Sequence, residues 1–407
     1  MHQNLFKLSK VMISLVMAGL FGIATILVGG LNRTVPAAYA AGESCFVSLN
    51  NSGTTDYQSV DASAVQTAIN AATAGDLIKV AGTCAGVTQT AGITQTAYIS
   101  QNLTLQGGYT TTNWLGTPDP ETYPTVLDAE GNGRVVYILS SAEVTLAGLT
   151  IQHGLHSNVG GGIVNQGVLT VTNSRVLSNT ATNDGGGIDN GFNGLTVINS
   201  LIQGNTANRS GGIRNYVGEV TIISTTLAHN TANTGQGGAI GNDAGALNLI
   251  DSLLQHNQAA TNGGGVYGSG SSAGTVISNT HFYSNTATAD GGGFYLARDL
   301  VMTNSLLSEN YSGDQGGAGY LTGGIVVTLD TSTILSNTAV TGGGGLFIIN
   351  LGPLTSTLST IAGNQSINGG GLYIDGNGTT VILDETSIYS NSASSLGGGI
   401  FSTTTRL

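Results

Sequence analysis

The chain has 407 residues, 64 of them glycine, with only 8% charged side chains and 10 lysine or arginine residues against 22 aspartate or glutamate, a formal charge of -12. That balance leaves no basic stripe and argues against nucleic acid as a partner. The lysines are Lys7, Lys10 and Lys79, so beyond Lys79 the chain works without an ammonium group.

Residues 1–40 read as an export signal. Lys7 and Lys10 precede an apolar run from Val11 to Leu31, and "PAAYAAG" supplies small residues for cleavage after Ala40. The run is also long enough for an uncleaved membrane anchor. Removing residues 1–40 leaves 7 basic against 22 acidic residues, a charge of -15. Cys45 and Cys84 are the only cysteines and both follow the leader, so one disulfide in an oxidising, extracellular or cell-surface setting is the expected arrangement.

Residues 41–154 are expected to cap the molecule and form its first, degenerate coils. In "VDASAVQTAINAATAGDLIKV" Ser63 is the expected N-cap, Val65, Ala68, Ile69 and Ala72 share one face, and Gly75 is the stop. One helix should therefore lie across the first coil. A loop from Trp114 to Pro124 should separate the first two degenerate coils.

Residues 155–407 repeat. The apolar residue after each glycine cluster falls at Ile163, Ile188, Ile213, Ile240, Val266, Phe294, Tyr320, Leu346, Leu372 and Ile400, in steps of 25 to 28. A second series, Asn179, Asn205, Asn230, Asn257, Asn285, Asn310, Asn337, Asn364 and Asn391, has an apolar residue three positions earlier and Ser or Thr five positions earlier in every copy. Between them the apolar residues alternate, as in "LTV" at Leu195 to Val197, so the repeat is built of short strands. Three strands and three turns fit such a period, whereas a propeller blade needs about 40 residues. The expected fold is all-β: a right-handed parallel β-helix solenoid with an N-terminal capping helix. The asparagines should stack as a structural ladder, with Asn165, Asn190, Asn215 and Asn242 forming a shorter one. The final "GGGIFSTTTRL" opens another coil, so the expected end is open, truncated or covered by another chain.

The paired "GGAI" and "FxxN" phrases, here Gly237 to Ile240 and Phe282 to Asn285, resemble the polymorphic outer-membrane-protein repeats of bacterial surface adhesins over residues 155–401. The front segment "VQTAINAATAGDLIKVAGT" looks like the entry to pectate-lyase-like secreted β-helices. The first resemblance implies a passenger used in adhesion, although no C-terminal membrane barrel is present in the sequence. The second implies that a polysaccharide lyase or glycoside hydrolase is the alternative.

A glycosidase needs two carboxyl groups roughly 5–10 Å apart, and a lyase of the pectate type uses calcium, held by acidic oxygens, and a base. The acids of the repeat are scattered among columns: Asp184 and Asp290 are four coils apart, and Asp251 and Glu385 five. Asp189 and Arg214 align in neighbouring coils as an expected exposed ion pair. His229 and His256 should stack, with no third ligand in view. No catalytic residue and no metal site is therefore assigned, and no cofactor beyond calcium under the lyase alternative. The candidate binding surface is the column one residue after the anchor, Tyr267, Tyr295, Phe347, Tyr373 and Phe401, with Leu321 interrupting. Alternation points these side chains outward, where a polysaccharide or a surface protein could lie on them. The expected function is a secreted or cell-surface rod for adhesion or presentation, with membrane contact only through the leader or a further C-terminal part.

Overall fold

The computed structural model describes residues 45–270, 273–350, 352–376 and 379–403; the expected leader lies outside them. The entry consists of β1 (Cys45–Leu49), β2 (Tyr57–Ser59), α1 (Ser63–Ala71) and β3 (Asp76–Ala85). From there the chain winds through about twelve turns of a parallel β-solenoid. Strands of successive coils pair in register along the axis, Leu195–Ile198 on Leu169–Thr172 and under Val220–Ile223, for example.

Each regular coil carries four strands rather than the expected three, as in Leu195–Ile198, Leu201–Gln203, Thr206–Ala207 and Ile213–Asn215. The extra one is only two residues long and leaves no apolar alternation to read. Three corners per coil take left-handed backbone: Asn199 (φ 47), Gly204 (φ 65) and Gly185 (φ 62) typify them. The glycine triplet answers two demands. Its first member makes the left-handed corner, and its others lie too close to the next coil for a side chain. A Cβ on Gly187 would sit 2.7 Å from the Gly212 carbonyl oxygen.

The long ladder satisfies every polar atom of its asparagines. Asn205 Nδ2 donates to the Asn230 Oδ1 (3.0 Å) and to the Val176 carbonyl (2.9 Å), while its Oδ1 accepts from the Asn179 backbone N–H and the Asn179 Nδ2 (both 3.0 Å). The pattern continues to Asn391. The Ser/Thr column works similarly: Ser200 Oγ donates to the Ile198 carbonyl (2.7 Å) and accepts from the Ser174 N–H (3.1 Å). Groups that would be costly to bury unpaired are thus paired at each rung. The apolar anchors fill the bore between them, with Ile163, Ile188, Ile213, Ile240 and Leu346 fully buried.

The entry end is clamped. Cys45 and Cys84 form the expected disulfide across 39 positions of sequence, which contributes about 2–4 kcal/mol. β1 pairs antiparallel with both β2 and β3, and α1 buries Val65, Ala68 and Ile69 against them. Ser63 is the first helical residue, not the cap; Ala62 takes that position, and Asp61 Oδ1 and Ser59 Oγ accept from the Ser63 and Ala64 N–H groups. The helix stops at Ala71, before Gly75 (φ 93). The expected loop packs Trp114, 1% exposed, against Tyr109, and its carbonyl accepts from the buried Lys79 Nζ. Among the described residues, the last coil has strand neighbours on one side only.

Candidate functional site

The sheet that follows the glycine corners carries one outward column along its whole length. Coil by coil it reads Tyr98, Tyr137, Val164, Asp189, Arg214, Gly241, Tyr267, Tyr295, Tyr320, Phe347, Tyr373 and Phe401. The structure thus brings all five residues of the expected aromatic stripe into a single line and corrects one member. Tyr320, not Leu321, occupies the intervening rung, because the inward anchor of that coil is Gly319, paired to Phe294 and Leu346. The Phe294 ring fills the space a side chain at Gly319 would take, so a glycine substitutes for the apolar anchor. Leu321 points inward and is fully buried.

The six rings form an unbroken stack. Successive centroids are 5.3, 4.8, 5.2 and 4.5 Å apart from Tyr267 to Tyr373, with interplanar angles between 5° and 21°. Phe401 follows at 4.9 Å and is tilted by 51°. Inside the stack each ring covers its neighbours' faces; Phe347 is buried, 3% exposed, against the expected outward position, so solvent meets only the edges and phenol hydroxyls of the other, half-buried rings. Burial raises the phenol pKa of Tyr295 and Tyr373 and pushes that of Tyr320 up to about 12, with the charges of Asp290, Asp314 and Asp375 adding to the effect at Tyr320. Burial, followed by the Asp314 charge, holds the Asp290 carboxyl above its usual range.

Two coils before Tyr267 the same column becomes ionic. Arg214 NH1 lies 3.2 Å from Asp189 Oδ1, and its Nε lies 3.2 Å from Asp243 Oδ2 and 3.9 Å from Asp184 Oδ2. Arg209 NH2 holds the same Asp184 oxygen at 2.7 Å. The expected exposed pair is withdrawn from solvent: the Asp189 side chain is buried, 3% exposed, and that of Arg214 is half-buried, 16% exposed. The glycine corner of the coil folds over these groups, which pairwise alignment of two letters does not reveal. Burial pushes the Asp189 carboxyl up to about 6, against the pull of Arg214. Burial also opposes the Arg214 charge, but Asp189 and Asp184 outweigh it and keep its pKa above the ordinary value.

The histidines stack as expected, with His229 and His256 ring centroids 5.1 Å apart at 15°. Both sit at left-handed corners with φ of 53°, and Tyr283 closes edge-on over His256 at 5.3 Å. Burial and the neighbouring imidazole lower the pKa of His256, while burial takes His281 down to about 4. Among the described residues no group of three or more His, Cys, Asp or Glu side chains is placed to hold a metal ion. A shallow cleft of about 330 Å³ near the entry is lined by Thr94, Asn132, Arg134 and His156; its Arg134 is already spent on the Val159 carbonyl and His156 Nδ1.

One residue of this face, Tyr320, was read from the sequence as an inward anchor, and two others, Asp243 and Arg298, were not singled out. Tyr320 was hidden by "GGAGYL", where an alignment on the third glycine position, taken by Ala318, would have found it. Asp243 reaches Arg214 from a turn, out of column. Arg298, 2% exposed, donates to the Gly245 and Asn242 carbonyls at 2.7 and 2.9 Å and plugs the end of the short asparagine ladder. Among the described residues no helix is long and apolar enough to cross a membrane. Comparison with protein-family profiles, with curated proteins and with solved structures found no match.

Proposed function

We propose that the protein is a secreted or cell-surface rod whose work is non-catalytic: it binds or presents glycans or surface partners along its outward column. The observation that carries this reading is the six-ring stack from Tyr267 to Phe401, held in register by strand pairing and repeated at the coil spacing of about 4.8 Å. A stiff array of this kind is suited to an elongated ligand lying parallel to the axis, meeting one rung after another. The likeness of its glycine and asparagine phrases to those of surface adhesins supports the same reading, as do the disulfide and the leader-like residues 1–40 for an extracellular location.

The test is retention of the purified chain on a panel of immobilised neutral and acidic polysaccharides. Replacing Tyr267, Tyr295 and Tyr373 together by serine should abolish retention while the melting transition and far-ultraviolet spectrum persist. Unchanged retention by that variant removes the column as the binding surface.

One observation favours a carbohydrate-active enzyme on the same scaffold: the Asp189 carboxyl, pushed up by burial to about 6, shares Arg214 with the buried Asp184 and the partly exposed Asp243. A carboxyl poised near neutral pH is what a general acid needs. New reducing ends or unsaturated products that vanish in Asp189→Asn would establish this reading in place of the first.

A further inference from the structure

The cleft at the entry end lies where successive coils turn the same corner. Ile93 and Thr94 come from the hairpin of Thr88–Thr90 and Ile93–Ile99, Asn132 and Arg134 from the next coil, and Leu155, His156 and Ser157 from the one after. Gly133 lets the hairpin approach, since a Cβ there would lie 2.8 Å from the Thr94 carbonyl oxygen. The volume of about 330 Å³ suits a small ligand.

Arg134 differs from the other arginines among the described residues. Arg175, Arg209 and Arg214 each hold a carboxylate, and Arg298 is buried on backbone carbonyls. Arg134 is half-buried with no carboxylate at ion-pair distance among the described residues. Burial opposes its charge and lowers its pKa, a cost that a paired anion offsets. Two of its N–H groups are spent, from Nε to the Val159 carbonyl at 3.1 Å and from NH2 to His156 Nδ1 at 3.0 Å. These bonds fix the plane of the guanidinium, while NH1 has no bond within the protein and is not enclosed by it.

His156 is set as a neutral donor beside it. Its Nδ1 accepts the Asn158 backbone N–H at 3.0 Å as well as the Arg134 NH2, so the ring proton sits on Nε2. Burial, then the Arg134 charge, lower the His156 pKa and keep the ring uncharged near neutral pH. The side chains of Thr94, Asn132 and Ser157 line the same cleft and make no hydrogen bond to the described residues.

We propose that this cleft binds a small organic monocarboxylate: its oxygens take the free NH1 end of Arg134 and the polar groups of Asn132 and Ser157, and its carbon body rests on Leu155 and Ile93. A guanidinium end with two donors fits the two oxygens of a carboxylate. The single charge follows from the balance of one cation and one neutral imidazole. A dianion would exceed it, and a polyanion would meet a chain of formal charge -12. Leu155, 49% exposed, gives an apolar flank that a bare inorganic ion would leave uncovered. The site is independent of the ring column, and neither reading needs the other.

The experiment is ligand-observed NMR titration of the full chain with lactate and benzoate as monocarboxylates, benzamide as the uncharged counterpart of benzoate, and inorganic phosphate. At least one carboxylate should bind, benzamide should not, and phosphate should bind more weakly. Arg134→Gln should weaken the carboxylate by about tenfold or more. Ser157→Glu, at an exposed position, places a carboxylate in the cleft and should block binding with the melting transition unchanged. Arg175→Gln, which removes an arginine already paired with Glu121, should leave affinity unchanged.

A wild-type chain that binds neither carboxylate overturns the site, as does carboxylate binding that persists in both Arg134→Gln and Ser157→Glu. Benzamide or phosphate bound as tightly as the carboxylates overturns the monocarboxylate assignment.

Discussion

Two stretches of one sheet, residues 163–242 and 266–402, follow the same path with opposite chemistry. In the first, the inner column is Asn165, Asn190, Asn215 and Asn242, and the outer one Val164, Asp189, Arg214 and Gly241. In the second, the inner column is Gly268, Leu296, Leu321, Ile348 and Ile374, and the outer one is the ring stack. The amides of the first run are joined rung to rung at 2.7–2.8 Å. Fixed coil spacing makes each position a neighbour of its own copies, so a column is stable when like follows like. The amide run starts directly on Ile138, but at its far end the chemistry changes across a gap. Gly241 and Gly268 supply it on the two sides of adjacent coils, and Arg298, passing within 3.1 Å of where a Gly268 Cβ would be, closes the amide run.

That contrast breaks most severely if an amide is placed in the aliphatic run. Leu321→Asn buries an amide between Leu296 and Ile348 with no ladder neighbour, and urea unfolding should show a loss of about 3–5 kcal/mol. The reverse exchange, Asn190→Leu, severs bonds to Asn165, Asn215 and the Asn193 carbonyl and should cost about 2–3 kcal/mol. Equal, small effects of the two would show that like-with-like stacking does not govern the columns. Arg298→Met tests the junction: it leaves the Asn242 and Gly245 carbonyls without this donor, for a loss of about 2 kcal/mol by the same measurement.

A separate effect is one of pH. The Asp189 carboxyl titrates near 6 in the folded chain against 3.8 when unfolded, so between these values the unfolded state loses its proton first. Ionisation thus opposes folding there, and the contribution of Asp189 to stability falls as pH rises from about 4 to about 6. Melting curves of the wild type and Asp189→Asn should diverge across that window, the wild type losing ground to the variant. Parallel curves would mean that Arg214 compensates Asp189 fully.

The period, the solenoid, both asparagine ladders and the disulfide were legible because each depends on residues recurring at fixed spacing or on a unique pair. Tyr320 was misread because Gly319 fills the anchor position and a neighbouring coil's Phe294 ring supplies the missing bulk. The burial of Asp189 and Arg214 was illegible for a related reason: it depends on how a glycine corner closes over them, not on which letters align. Arg298 acts across two coils on backbone carbonyls, a contact with no sequence period. What repeats could be read; what ends or interrupts a repeat had to be seen in three dimensions.

The most direct test of the central claim is one incubation of the chain with a panel of neutral and acidic polysaccharides, with and without calcium, assayed together for retention and for new reducing ends or unsaturated products. The account predicts retention on a neutral polymer that depends on the ring column, with no products under either condition. Cleavage of any polymer would contradict it and transfer the work of this face from the rings to the carboxyl group around Arg214.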